Sequence, residues 1–276
     1  MIPPRRVAQG SEVRMRVPRE CRIDESESGL TLVEILIVVA ILAILTAIVV
    51  PNVIAAKIAT NESAAIATLR TFVTAQAQLQ GSGKIDADKD SIGEFGTITE
   101  MMGLTGVRTL DINGSDFVAP GTIVDPPVIS DSMAENLQNS GYLVKSGYAI
   151  MVFLPDTSDP ARFTREQVAL ITTGKGKKKV KVELMKLAGG SARVGIDLSE
   201  SLWCIYAVPV NLGRTGRRAF FTNQQGDILQ SPNETAKHQG FTAAISGRSA
   251  FLGTGITSDL AAGTRGNDGD IWKVTN

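Results

Sequence analysis

Between Ile35 and Val50 lie sixteen residues of which only Thr46 is polar, and one carboxylate, Glu34, stands at their mouth. No other stretch limits the fold so strongly. From Ile35 to Ala56 there are 22 residues without a formal charge, enough at about 1.5 Å per residue to cross a hydrocarbon core of about 30 Å as a helix. Many of them are β-branched, but lipid offers no partner to an open backbone, so a spanning run of this length folds as helix. An ionised group beside hydrocarbon is costly, and Glu34 therefore calls for a partner.

The flanks set the direction of this helix. Residues 1–29 are polar, carry six Arg (Arg5, Arg6, Arg14, Arg16, Arg19 and Arg22) against five acidic residues, and contain no apolar core of the secretory kind. They read as a cytoplasmic leader. Only Lys57 follows the apolar run closely, so the bias of basic residues toward the cytoplasm keeps the N-terminus inside and exports the chain beyond the run. Pro51 lacks an amide hydrogen and clashes with the carbonyl four residues earlier, which predicts a kink or loosened turn over Ala47 to Pro51. Beyond it the apolar positions become one-sided: Val53, Ile54, Ile58, Ala65, Ile66, Leu69, Phe72, Val73 and Leu79 recur at threes and fours. Gly81-Ser82-Gly83 supplies a stop. The spacing thus predicts one helix over Leu30 to Gln80, about 75 Å long, apolar on all sides in its first half and amphipathic in its second.

After the helix, Asp86, Asp88 and Asp90 alternate before Gly93 and Glu94. Alternate carboxylates suit a hard cation such as Ca2+, because every second side chain turns inward. The sixth and twelfth positions of a full calcium loop hold Ser91 and Thr97 instead of Gly and Glu. A solvated acidic turn is the competing reading. Asn267, Asp268 and Asp270 near Trp272 pose the same choice between a Ca2+ site and a plain turn. Glu94 to Gly141 shows no clear period and reads as loops with a short helix near Asp131 to Gln138. From there strand signals appear at Tyr148–Leu154, Gln167–Thr172, Lys179–Leu187, Leu202–Val210, Arg218–Thr222 and Asp227–Gln230, the last two joined by a hairpin at Asn223-Gln224-Gln225-Gly226. An antiparallel sheet would cover the apolar stripe of the helix, giving an α+β fold.

Chemistry is scarce in this chain. With 28 basic and 28 acidic side chains the formal charge is zero, so no global field selects nucleic acid or cationic ligands. Lys175, Lys177, Lys178, Lys179 and Lys181 cluster without interleaved aromatics and read first as a solvated hairpin tip. Cys21 lies in the leader, which leaves Cys204 as a lone thiol in a strand, a small buried hydrophobe. His238, the one histidine, sits in a polar loop stretch. No nucleophile, base and acid arrangement, metal-spaced His or Cys, or phosphate-cradling glycine loop is present, and the expectation is that the chain is not an enzyme and carries no resident cofactor.

Gly29-Leu30-Thr31-Leu32-Val33-Glu34, followed by its apolar run, resembles the cleavage and methylation signal of type IV pilins and type II secretion pseudopilins. The resemblance implies cleavage after Gly29 by an inner-membrane prepilin peptidase, N-methylation of Leu30, and assembly roles for Glu34 and Pro51. It further implies a leader over 1–29, read from Met1 or Met15, and a long helix over 30–80 whose residues 30–55 serve membrane and assembly. Residues 81–276 would form an α+β head in the periplasm or outside the cell. Tyr206-Ala207-Val208-Pro209-Val210 and Arg218 to Asn223 look like the sheet of such a head, and Asp268-Gly269-Asp270-Ile271 like the calcium-binding end of major pseudopilins. The partners implied are other copies and pilin-like subunits in a filament, the peptidase and an inner-membrane assembly platform, with single-pass residence in the bacterial inner membrane beforehand and no nucleic acid.

Physics gives the motif a reason. Cleavage would leave a cationic amine on Leu30, and an incoming subunit could pair it with Glu34 of a neighbour in a dry environment, where an unpaired charge is costly. Such a pair selects register. Two alternatives use the same residues: a minor or tip pilin whose head binds a ligand or takes up DNA through Lys175 to Lys181, and a periplasmic protein held by a plain signal anchor or cut after Val53-Ile54-Ala55. Neither signal alternative explains Glu34.

Overall fold

The computed structural model describes residues 29–110, 116–130, 133, 136–138, 141–156, 163–173, 179–187, 194–240 and 245–275. Residues 1–28 of the leader, with Cys21 and both candidate starts, lie outside them, as do Lys175, Lys177 and Lys178 and half of the helix expected near 131–138. Lys179 and Lys181 are described only as backbone of a strand.

Helix α1 runs Leu32–Gly81 as one 50-residue element. The kink or loosened turn expected over Ala47 to Pro51 is not a break: Pro51 lies inside the helix, which is assigned without interruption. The chain divides into two compact units between Ile48 and Val49. In the first, every apolar side chain of α1 is exposed, among them Leu42 at 53% and Ile44 at 65%. This helix is long and apolar enough to cross a membrane. In the second unit α1 is one-sided, as its period demands: Ile58, Ala65, Leu69, Phe72, Ala75 and Leu79 are buried, and Ile66 and Val73 pack partly against the same core. Val53 and Ile54, counted in that stripe from the sequence, are exposed. The covered stripe begins one turn later, at Ile58.

An eight-stranded antiparallel sheet fills the second unit, in the order β10-β9-β8-β7-β4-β5-β6 with β3 also pairing β4. Its strands are β3 (Leu143–Lys145), β4 (Tyr148–Pro155), β5 (Phe163–Thr173), β6 (Lys179–Leu187), β7 (Cys204–Pro209), β8 (Ala219–Asn223), β9 (Leu229–Ser231) and β10 (Lys273–Val274). Consecutive antiparallel pairings make a meander from β7 to β9. The expected hairpin joins β8 to β9, where Gly226 takes a positive φ of 83° and donates its amide to the Asn223 carbonyl at 3.0 Å.

Every residue of β4, β7 and β8 is buried, because the sheet is covered on both faces. Alternation sorts them. Tyr148, Ile150, Val152, Leu154, Ile205, Ala207 and Phe220 face the stripe of α1. Ala149, Met151, Phe153, Tyr206, Val208 and Phe221 face a layer of loops and short bridges that contributes Phe251, Ile256 and Trp272. The result is three layers, with helix on one side and largely irregular chain on the other.

The described residues between Glu94 and Gly141 hold more regular structure than their composition suggests. A short helix α2 (Ile98–Met101) has a capping box: Thr97 Oγ1 accepts the Glu100 amide at 3.3 Å, and Glu100 Oε2 accepts the Thr97 amide at 2.8 Å. Strands β1 (Gly106–Leu110) and β2 (Asp116–Ile123) form a separate antiparallel pair. Arg108 on β1 ties the region together, with Nε 3.0 Å from Glu100 Oε1 and Nη2 3.5 Å from Glu94 Oε2, all three side chains buried. The last short helix, α3 (Ile196–Ser199), precedes β7.

Candidate functional site

The residues of the cleavage motif meet at the start of α1. Gly29, Leu30 and Thr31 are non-helical and exposed, and among the described residues a Cβ added at Gly29 would meet nothing within 4 Å. Thr31 then caps the helix. Glu34 Oε2 accepts the Thr31 amide at 2.9 Å and the Thr31 hydroxyl at 2.8 Å, while the Glu34 amide donates back to Thr31 Oγ1 at 3.2 Å. Thr31 O accepts the first helical bond, from the Ile35 amide at 3.3 Å. This is a capping box, which satisfies donors that a helix start leaves open.

Glu34 therefore has a local partner that sequence reading overlooked. The signal was present, since Thr31-Leu32-Val33-Glu34 has the Thr-x-x-Glu spacing directly before an apolar run. Among the described residues Oε1 of Glu34 has no hydrogen bond, so one oxygen stays open to a further donor. The Gly29–Leu30 bond lies in exposed, non-helical chain just before a helix whose start is capped.

Three polar side chains on the second half of α1 anchor it within its own unit. Glu62, 5% exposed, accepts the Arg217 amide at 3.0 Å, the Arg218 amide at 3.2 Å and Arg218 Nε at 2.7 Å. Asn61 Nδ2 donates to the Thr215 carbonyl at 2.8 Å. Gln76 works in both senses on one residue: it accepts the Gly96 amide at 2.9 Å and donates to the Gly96 carbonyl at 2.7 Å. These buried groups are thereby satisfied.

Asp86, Asp88 and Asp90 do come together, each offering an oxygen within 4.8 Å of the others, and Asp88 likewise meets Asp197 and Glu200. Burial first, and then the charges of Asp90, Asp88, Asp197 and Glu94, push the Glu200 carboxyl up. The donor set fits a hard divalent cation by type. The same oxygens also fold the loop: Asp86 Oδ2 accepts the Ser91 amide at 3.2 Å, Asp88 Oδ1 that of Asp90 at 3.3 Å, and Asp90 Oδ1 that of Ile92 at 2.7 Å. Gly93 passes so close to the helix end that a Cβ would stand 1.9 Å from the Gln80 carbonyl oxygen. Glu94 turns away from this group. Its Oε1 accepts the Ala87 amide at 2.7 Å and its Oε2 faces Ser199 and Arg108. Burial raises its pKa, against the pull of Arg108 and the Ala87 amide.

At the other end of the chain, Asp270 accepts the amides of Glu234, Thr235 and Ala236 at 3.0–3.3 Å. Asp268 Oδ1 accepts the Asp270 amide and the Trp272 indole N–H, and its Oδ2 lies 3.4 Å from His238 Nε2. Asn267 Nδ2 donates to the carbonyls of Phe251 and Gly253. These three side chains thus hold the loop layer in place. His238 is in a loop, as expected, but is 8% exposed. Cys204 is fully buried in β7, and burial pushes its thiol well up, consistent with an inert packing role.

No family model matches the chain, and no curated protein or solved structure matches it either.

Proposed function

We propose that the chain is a structural subunit of a type II secretion pseudopilus or type IV pilus, cut after Gly29 and polymerising through α1. One coincidence carries this reading: an accessible glycine, a capped helix start two residues later, and an apolar half-helix that nothing in its own unit covers. A membrane hides that surface before assembly, and neighbouring helices hide it afterwards. Between those two environments the change in apolar contact is small, so close packing and pairing of polar groups supply part of the gain.

Glu34 then has two tasks in sequence. In the single chain it caps α1 through Thr31. In a filament its open oxygen receives the new Leu30 amine of a neighbour, which sets the stagger. The head outside the membrane plays no part in catalysis under this reading.

The test is the intact mass and N-terminal residue of the mature chain, produced with a prepilin peptidase. The expected product begins at Leu30 and carries an N-methyl group. Gly29→Val should remain full length, since the side chain obstructs the cut; normal-sized product from that variant overturns the assignment. Glu34→Leu should still be cleaved yet enter filaments poorly, and normal filament yield would remove the pairing argument.

A further inference from the structure

A cavity of about 750 Å³ opens in the second unit, between the segment around Arg217, the loop from Ser231 to Lys237, and the stretch from Arg265 to Lys273. It falls in the size range of small-ligand sites. Five cations line it: Arg217, Arg218, Lys237, Arg265 and Lys273. Arg218 is neutralised by Glu62 and also donates to Gln230. Among the described residues the other four have no carboxylate partner, and in a chain of zero net charge they make a local positive field.

Two acidic residues also line the cavity, and one of them is already committed. Asp270 is 3% exposed and bonds three successive amides of the loop, at Glu234, Thr235 and Ala236. Glu234 is exposed. Asn233 closes the same loop, accepting the His238 amide at 2.7 Å and donating to the His238 carbonyl at 2.8 Å. So fixed, the loop holds Lys237 at φ 51°. That left-handed conformation is unfavourable for a lysine and persists only where the surroundings over-determine it. Lys237 is exposed, so its ammonium is open to a ligand from solvent.

We propose that this cavity binds a small, non-aromatic organic phosphate through Arg217, Lys237, Arg265 and Lys273. A phosphate dianion offers several strong acceptor oxygens, which suit guanidinium forks and lysine point charges together. No aromatic side chain lines the cavity, so a nucleobase has no surface to stack on. Leu212 and Ile271 present carbon to the ligand's skeleton. Non-bridging phosphoryl oxygens occur as a dianion in a free sugar or glycerol phosphate and as a singly charged diester in the headgroup of an anionic phospholipid. The site goes beyond the filament reading and does not depend on it.

The test uses the full chain in neutral-detergent micelles, titrated calorimetrically with inorganic pyrophosphate and, separately, with dihexanoylphosphatidylglycerol against dihexanoylphosphatidylcholine. One molecule of pyrophosphate or of the anionic lipid should bind per chain, and more weakly as salt rises. Lys237→Gly should weaken binding about tenfold, the loss of one charge-assisted contact. Its thermal midpoint should stay level or rise, because glycine adopts the positive φ without strain. Adding Arg265→Gln should bring the loss to about a hundredfold. Pyrophosphate binding without the lipid assigns a free phosphate; binding of the anionic lipid but not the zwitterionic one assigns a headgroup. If the wild type binds neither probe, or the variants bind as tightly as it does, the proposal is overturned.

Discussion

One helix carries two glutamates in opposite circumstances. Glu34 is exposed and its partner, Thr31, is three residues away. Glu62 is 5% exposed and its partners, Arg217 and Arg218, come from a distant part of the chain. The same contrast holds for leucine: Leu42 is 53% exposed and Leu69 is 0% exposed. Secondary structure is identical along α1, so helix formation alone assigns no role to either half. What differs is the cover each half finds in its own unit. The second half is satisfied by its own unit, while the first is left with an apolar surface that its own chain does not cover.

Four substitutions test that division. Phe72→Ala, at the buried stripe, should cost about 4 kcal/mol of unfolding free energy, and an unchanged denaturation midpoint would show that the stripe does not hold the sheet. Glu62→Ala strands Arg218 and two backbone amides. The expected loss is about 3 kcal/mol, at the low end for a buried pair because the Arg218 side chain is 42% exposed. Gln76→Ala removes both bonds to Gly96 and should cost about 2 kcal/mol in the same measurement. Leu42→Ala should leave that midpoint where it is, and a shift comparable to that of Phe72→Ala would sink the idea that the halves are energetically separate.

A pH series sharpens the picture inside the folded unit. Burial raises the Glu94 carboxyl above its ordinary value near 4.5. Its contribution to stability is therefore complete below that value and is lost as pH rises through the higher, folded-state value. Glu94→Gln should flatten the part of the stability profile that lies above the ordinary carboxylate value of 4.5. If the mutant profile matches that of the wild type, Arg108 compensates the burial in full.

Periodicity made the large elements legible. The changes from sixteen apolar residues to a one-sided stripe, and then to alternating strands, placed α1, β4, β6, β7 and the β8–β9 hairpin within a few residues. The stretch from Glu94 to Gly141 was opaque because its order comes from buried ion pairs and caps. Thr97 with Glu100, and Arg108 with Glu94, make contacts that leave no period in the sequence. Thr31 and Glu34 carry the Thr-x-x-Glu spacing of a capping box, a local signal that stands beside a much longer apolar one. Alternation of Asp86, Asp88 and Asp90 foretold their convergence. It could not foretell that Glu94 would turn inward. The basic cavity was hidden for a different reason: Arg217, Lys237, Arg265 and Lys273 are scattered in sequence and line one cavity only in the folded unit.

Trp272 places a condition on when this unit can close. It is fully buried against Tyr206 and Phe221, with ring centroids 6.0 and 6.2 Å away, and it adjoins β10, which pairs with β9. A chain made from its amino end produces the stripe of α1 first, then β4, and Trp272 only much later. Until then the cover that Phe251 and Ile256 begin on the far face of the sheet is incomplete, and contacts so distant in sequence are slow to form. Closure of the unit is thus a late and collective event, and the aromatic face of the sheet is the surface a nascent chain must keep from others of its kind.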